Sequence, residues 1–226
     1  KGGASLWEVT LRRYLVASIA NVYNEKECTN HECLVLVSRE EGVGKTSFLA
    51  ALFPDEYRKD GHIRLKEKDS AIMLAENLGI CLDEQFAHMG GSDEKWELLK
   101  DLITRPKVNE RGAYKENALV RPRIANFVGS TNNDGFLKHD SDDRRFLPFA
   151  VTGRIDFQKA RRIVRYAWGE AFGLYKEGFE YIPSDDHQSM LAAYRSNFRK
   201  VDDLGEQIMK IYEPWTSGDP THQLIY

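Results

Sequence analysis

The sequence predicts an α/β fold, a mainly parallel five-stranded sheet covered by helices, with helical flanks at both ends. Three observations lead there. Residues 33–37, CLVLV, are apolar at every position, the pattern of a strand buried on both faces. Short apolar runs alternate with helical periodicities up to residue 151, which is the rhythm of a parallel sheet. From residue 156 the periodicity is helical alone. The expected organisation is a helical flank at 1–32, an α/β core at 33–155 and a helical region at 156–226.

The elements follow in order. Ser5 and Glu8 stand in capping-box spacing ahead of Val9, Leu11, Leu15, Val16, Ile19, Ala20 and Tyr23, predicting a helix over 5–23. A polar loop, 24–32, leads into the strand 33–37. A short helix starts at Lys45 and stops before Pro54. HIRL, 62–65, reads as a second strand, and a helix over 69–77 leads to LGICLDE, an apolar run that closes on two carboxylates. Ser92 caps a helix that carries Trp96, Leu99, Leu102 and Ile103 on one face and ends at Pro106. Residues 105–123 are irregular or hairpin-like, with six basic residues against two acidic. IANFVGSTN, 124–132, is a strand with a polar tip, and FLPFAV, 146–151, is another. Beyond 156, Phe157, Ala160, Ile163, Val164, Ala167, Trp168 and Ala171 share one helix face, with Gly178 near its end. Two further helices are expected, over 184–200 and 202–213.

Composition sets limits. The 226 residues are 42% hydrophobic and 30% charged, enough for a sizeable core in a soluble chain. No apolar run approaches the roughly 18 residues that span a bilayer, so no membrane partner is expected. Three cysteines argue against a disulfide framework and for a reducing, cytoplasmic compartment. Cys28, His31 and Cys33 lie close together, but no second ligand pair accompanies them, and buried thiols are the simpler reading. A net charge of −3 excludes a whole-chain field for nucleic acid, so any such contact must be local. The chain opens Lys1-Gly2-Gly3 without a methionine, which suggests a piece of a longer polypeptide.

The chemistry centres on SREEGVGKTS, 38–47. Gly42 and Gly44 let the backbone turn its N–H groups towards phosphate, and the following helix adds its positive end. With Gly42, Val43, Gly44, Lys45, Thr46 and Ser47 as the cradle, Lys45 would reach the β- and γ-phosphates of ATP, and Thr46 would ligate Mg²⁺. The bland alternative is a strand–turn–helix with an exposed lysine. A buried strand directly before the loop favours a P-loop NTPase. Arg39 occupies the place where the full pattern has its first glycine. Asp83 suits the second Mg²⁺ contact and Glu84 the polarisation of the attacking water; a solvated strand end is their bland alternative. Asn132 would orient that water or sense the γ-phosphate, although an Asn-Asn pair is also ordinary turn chemistry. Arg144 and Arg145 could stabilise the transition state in cis or from a neighbouring subunit, or simply pair with Asp142 and Asp143. In the basic segment, Arg111, Tyr114 and Lys115 could track and stack a DNA strand, although basic loops are more often just solvated.

GVGKTSFL, CLDE, a basic hairpin, VGSTNNDGFL and DDRRFLPFAV occur in this order. Together they resemble the virulence-associated E family, P-loop ATPases of phages and mobile elements that are related to superfamily III helicases and primase-helicases. The resemblance covers residues 33–152 motif by motif and extends loosely through AWGEA, 167–171. It implies Walker A roles for Lys45 and Thr46, Walker B roles for Asp83 and Glu84, and a sensor role for Asn132. It implies a DNA-contacting hairpin around Arg111–Lys115 and an arginine-finger pair, Arg144 and Arg145, acting across a subunit interface. It also implies a ring-forming homo-oligomer, such as a hexamer, often joined to a primase region elsewhere in the polypeptide. Two departures stand out: Arg39, and Ser141-Asp142-Asp143 where a small-glycine-polar turn is common.

The resulting expectation is a Mg²⁺-dependent ATPase that moves or unwinds single-stranded or forked DNA during replication of a mobile element. The rival is a P-loop switch or protein-remodelling ATPase without DNA activity. A degenerate nucleotide-binding module is a third reading, set back by the presence of the whole residue set. The basic segment 105–123 discriminates the first two, because only a DNA enzyme needs it to bind in a salt-dependent way.

Overall fold

The computed structural model describes residues 4–23, 30–63, 65, 69–83, 85–89, 92–110, 119–137 and 144–200. Its frame is a five-stranded, all-parallel sheet built from β1 (Cys33–Val37), β2 (Arg58–Asp60), β3 (Gly79–Leu82), β6 (Asn126–Thr131) and β7 (Phe146–Ala150). The strand order is β2-β3-β6-β1-β7. β4 (Lys107–Glu110) and β5 (Leu119–Pro122) form a separate antiparallel pair, the stem of the expected hairpin. The helices are α1 (Leu6–Tyr23), α2 (Lys45–Ala51), α3 (Asp69–Glu76), α4 (Gln85–Met89), α5 (Asp93–Thr104), α6 (Phe157–Lys176) and α7 (Asp185–Arg195).

β1 is central because every one of its residues is apolar and buried. Alternation along the strand then splits the core in two. Cys33, Val35 and Val37 face Leu74 of α3, Phe86 of α4 and Trp96 and Leu99 of α5. Leu34 and Leu36 face Tyr14, Val16 and Ile19 of α1, Leu49 of α2 and Ala171 of α6. Both sheet faces are therefore covered by helices, as a parallel sheet requires. Cys33 and Cys81 are buried free thiols, and burial pushes the Cys33 thiol well above its ordinary pKa. Cys28 lies outside the described residues.

Local chemistry sets the helix ends. The Ser5 N–H donates to Glu8 Oε2 at 2.7 Å while the Glu8 N–H donates to Ser5 Oγ at 3.2 Å, a reciprocal capping box. Ser92, Asp156 and Ser184 each accept an N–H from the first turn of the helix they precede. After α6, the N–H of Phe179 reaches the carbonyl of Leu174 and Gly178 takes φ +76°. The left-handed residue there closes the helix and satisfies its last carbonyls.

One element sits elsewhere than expected. The second strand is Arg58–Asp60, not 62–65, and it pairs with β3 at the sheet edge. Arg58 anchors it by donating to Asp60, Asp55 and the carbonyls of Ala50 and Phe53. The apolar signal of HIRL comes from Ile63, which is buried but gives its N–H to the Gln85 side chain at 2.8 Å. A short charged strand is a common way to finish an exposed sheet edge. The expected helix at 202–213 lies outside the described residues.

Candidate functional site

The carboxyl ends of β1, β3 and β6 lie side by side, with Val37 opposite Thr131 and Leu82 opposite Gly129. What leaves those three ends meets in an open cleft of about 770 Å³. The loop after β1 supplies Glu41 through Gly44, the first turn of α2 supplies Lys45, Thr46 and Ser47, the end of β3 supplies Asp83, and the end of β6 supplies Ser130, Thr131 and Asn132.

The loop is shaped by two glycines in the left-handed region, Gly42 at φ +70° and Gly44 at φ +94°. A side chain at either position would be strained by that backbone. Gly44 is the N-cap of α2, and the N–H of Phe48 returns to its carbonyl at 2.9 Å. Val43, buried beneath the loop, accepts the N–H of Ile155 at 2.8 Å, which ties the loop to the segment entering α6. Arg39 points outward. Its Nε donates to Asp134 Oδ2 at 2.7 Å, and this bond holds the Asp134 carboxyl below its ordinary pKa.

Lys45 is 6% exposed and tightly held. Its Nζ donates to Asn132 Oδ1 at 2.6 Å and to the carbonyls of Glu40 at 3.0 Å and Ser38 at 3.2 Å. Burial lowers its pKa, and the Glu41 carboxylate acts in the opposite direction. Beside it, Thr46 Oγ1 donates to Asp83 Oδ1 at 3.0 Å. Ser130 Oγ lies 3.0 Å from Thr46 Oγ1 and donates to Asp83 Oδ1 at 3.0 Å. A lysine, two hydroxyls, a carboxylate and an amide thus converge on one cleft, beneath backbone N–H groups at a helix start. Chemically, such a set can receive anionic oxygen, and its carboxylate and hydroxyls are oxygen donors of the kind a hard cation takes.

Sequence reasoning named Gly42, Val43, Gly44, Lys45, Thr46, Ser47, Asp83 and Asn132, and the structure brings these eight together. Glu84, Arg111, Tyr114 and Lys115 lie outside the described residues. Arg144 and Arg145 are not brought to the cleft. They precede β7, whose first residue Phe146 pairs with Cys33, so they sit at the amino ends of the strands. The five residues of β1 separate that edge from the loop, roughly 16 Å of strand. There the two arginines line a second cavity, of about 730 Å³, with Glu32, Arg195 and Arg199. Sequence reasoning missed Ser130, because its place beside Asp83 exists only once β6 pairs with β3.

The basic segment 105–123 also reads differently in place. Arg123 is fully buried, donating to the carbonyls of Leu102, Ile103 and Asn30 and lying 5.4 Å from the Phe127 ring centre. It closes the end of α5 and belongs to the core. Arg105 pairs with Asp101 within one helical turn. Arg123 is thus committed to the core, and Arg105 to an ion pair on the surface of α5.

Comparisons with known proteins bear on this arrangement. Among curated proteins, none matches. Three solved structures of the NrS-1 C-terminal region are similar to this chain. The apo structure of residues 305–718 shares 14% identity at a TM-score of 0.46, covering 90% of this chain and 53% of that one. An A-form apo structure shares 15% identity at a TM-score of 0.43, covering 92% and 51%. A third, also the A form, shares 15% identity at a TM-score of 0.43, covering 91% and 50%. The chain therefore spans about half the length of these structures. The sequence profile of the Virulence-associated protein E-like domain matches residues 4–200, nearly the whole described chain. The chain belongs to the virulence-associated protein E-like domain family.

Proposed function

We propose that this chain is a P-loop NTPase that hydrolyses ATP with Mg²⁺ and couples hydrolysis to movement along, or unwinding of, DNA during replication of a mobile element. The observation that carries this reading is the convergence of Lys45, Thr46, Asp83 and Asn132 at the ends of three adjacent parallel strands. Membership of the family and the order of its motifs supply the DNA and mobile-element part.

The donors suit a divalent ion. Thr46 and Asp83 offer hard oxygens already within hydrogen-bond reach of each other, and Mg²⁺ is commonly held by one or two such groups plus phosphate. These two residues would hold the ion, which when bound would neutralise charge developing on the phosphates. Ser130 orients both ligands through its two 3.0 Å contacts. The N–H groups of the loop and the start of α2 would cradle the phosphates. Lys45 would leave Asn132 to meet the β- and γ-oxygens, freeing the Asn132 amide to orient the attacking water. Glu84, next to Asp83, would take the proton from that water.

Arg144 and Arg145, on the far edge of the sheet, suit a role across a subunit boundary, where they would meet a neighbour's triphosphate. That geometry favours action as a closed homo-oligomer. The test is Lys45→Ala, which should abolish ATP hydrolysis. DNA-stimulated turnover equal to wild type in that variant would overturn the proposal.

A further inference from the structure

The first half of α6 carries charge that the fold leaves unused. Arg154, just before the helix, and Lys159, Arg161, Arg162 and Arg165 within it span twelve residues that hold one acid, Asp156. That acid is occupied as the helix N-cap, accepting the Lys159 N–H at 3.0 Å. All five cations are exposed, and among the described residues none of the five side chains makes an ion pair or a hydrogen bond. α6 packs inward through Val164, Ala167, Trp168 and Ala171. Helical spacing puts Lys159, Arg162 and Tyr166 in one row on the outer side, with Arg161 and Arg165 in the next row. Tyr166 is 80% exposed and Ile163 50% exposed.

Two features separate this face from an ordinary solvated one. Solvated helix faces interleave both signs, usually with an acid three or four residues from each base. Here no acid occurs from Phe157 to Gly169. The cations also crowd the amino-terminal half of α6, where the helix dipole opposes positive charge. The face is thus arranged against helix stability and in favour of meeting a polyanion. Its exposed aromatic ring adds a flat apolar surface that a small anion would not need.

We infer that this face of α6 binds single-stranded nucleic acid, with the phosphate backbone along the two cationic rows and a base stacked on Tyr166. Base stacking on a protein ring needs an unpaired base, which selects a single strand over a duplex. α6 follows directly on Ile155, whose N–H bonds Val43 of the glycine loop at 2.8 Å. A strand held here would lie beside the candidate phosphate cleft. The inference shares with the proposed function only the class of partner and does not depend on hydrolysis.

The experiment measures fluorescence anisotropy of a labelled oligothymidine strand against the full chain between 50 and 300 mM salt. Wild type, R161A/R162A/R165A and Y166A are compared, each checked for an unchanged unfolding midpoint. The triple variant should bind at least about tenfold more weakly at low salt, with the log–log salt slope reduced by about 2. Y166A should bind about fivefold or more weakly with its slope unchanged. Wild-type affinity and slope in both variants would overturn this inference and leave a DNA enzyme that uses another surface. Absence of salt-dependent binding by wild type would overturn the inference and the DNA part of the proposed function together. A triple variant that changes oligomeric state but keeps its DNA affinity would assign the face to a protein partner and overturn the inference.

Discussion

Lys45 Nζ donates to Asn132 Oδ1 at 2.6 Å, joining the start of α2 to the tip of β6. The residue expected to bind phosphate is held by the residue expected to sense it. On the proposed reading, an arriving phosphate must win Lys45 from Asn132, and the amide is then released towards the attacking water. Asn132→Ala should therefore lower turnover by about 100-fold, the scale of losing one positioned polar group at a reacting centre. ATP affinity should change by less than about threefold, because the amide competes with phosphate as often as it assists. Single-turnover hydrolysis and equilibrium nucleotide binding separate the two effects.

Arg39 and Asp134 form an exposed pair, with side-chain exposures of 81% and 47%. Exposed pairs contribute little and weaken with salt. The backbone freedom of the loop comes instead from Gly42 and Gly44. Arg39→Gly should accordingly change ATP affinity by less than about tenfold. Asp134→Ala should leave the unfolding midpoint within about 3 °C of wild type. A larger gain in affinity for Arg39→Gly would mean that the arginine obstructs the loop.

Arg144 and Arg145 line a cavity at the opposite edge of the sheet from Lys45. Arg144→Ala and Arg145→Ala should cut turnover far more than nucleotide binding, because they would act on a neighbour's nucleotide. Mixing either variant with Lys45→Ala should restore part of the activity, since each protein supplies what the other lacks. Inactivity of every mixture, with oligomers still forming, would remove the trans role.

Glu32 shares that cavity. Burial pushes its carboxyl from 4.5 up to about 7, and Arg195 and Arg13 oppose the shift without cancelling it. His31, Arg144, Arg145 and Arg199 also line the space. A raised carboxyl pKa means that, between pH 4.5 and 7, the folded chain keeps a proton which the unfolded chain has released. The contribution of Glu32 to stability is thus lost as pH rises through that window. Glu32→Gln should raise the unfolding midpoint at pH 8, and the gain should shrink steadily as pH falls towards 5. An equal gain at both pH values would contradict burial as the cause.

Much of this was legible in the sequence because it rests on local rules. CLVLV, the Ser5–Glu8 box and the Ser92 cap each declare an element within a few residues, and GVGKT declares its loop. Other parts depend on contacts that no local pattern carries. β2 is Arg-Lys-Asp, a strand made by its edge position, while the apolar Ile63 nearby serves the core without joining the sheet. Arg123 looks like surface charge in a basic run, yet it closes α5 from within the core. Asn21, Asn30 and Asn126 form a buried amide network with Asn21 Nδ2 to Asn126 Oδ1 at 2.8 Å and Asn30 Nδ2 to the same oxygen at 3.0 Å. That network spans 105 residues of sequence and has no signature along the chain. Ser130 escaped for the same reason, since its role exists only once β6 lies beside β3.

The most direct measurement is the ATP hydrolysis rate of the chain with Mg²⁺, with and without single-stranded DNA, across a range of protein concentrations. The account predicts hydrolysis that DNA stimulates and that rises more steeply than linearly with concentration, as an enzyme completed by a neighbour's arginines must. Hydrolysis no greater than that of Lys45→Ala, at every concentration and with DNA present, would contradict it.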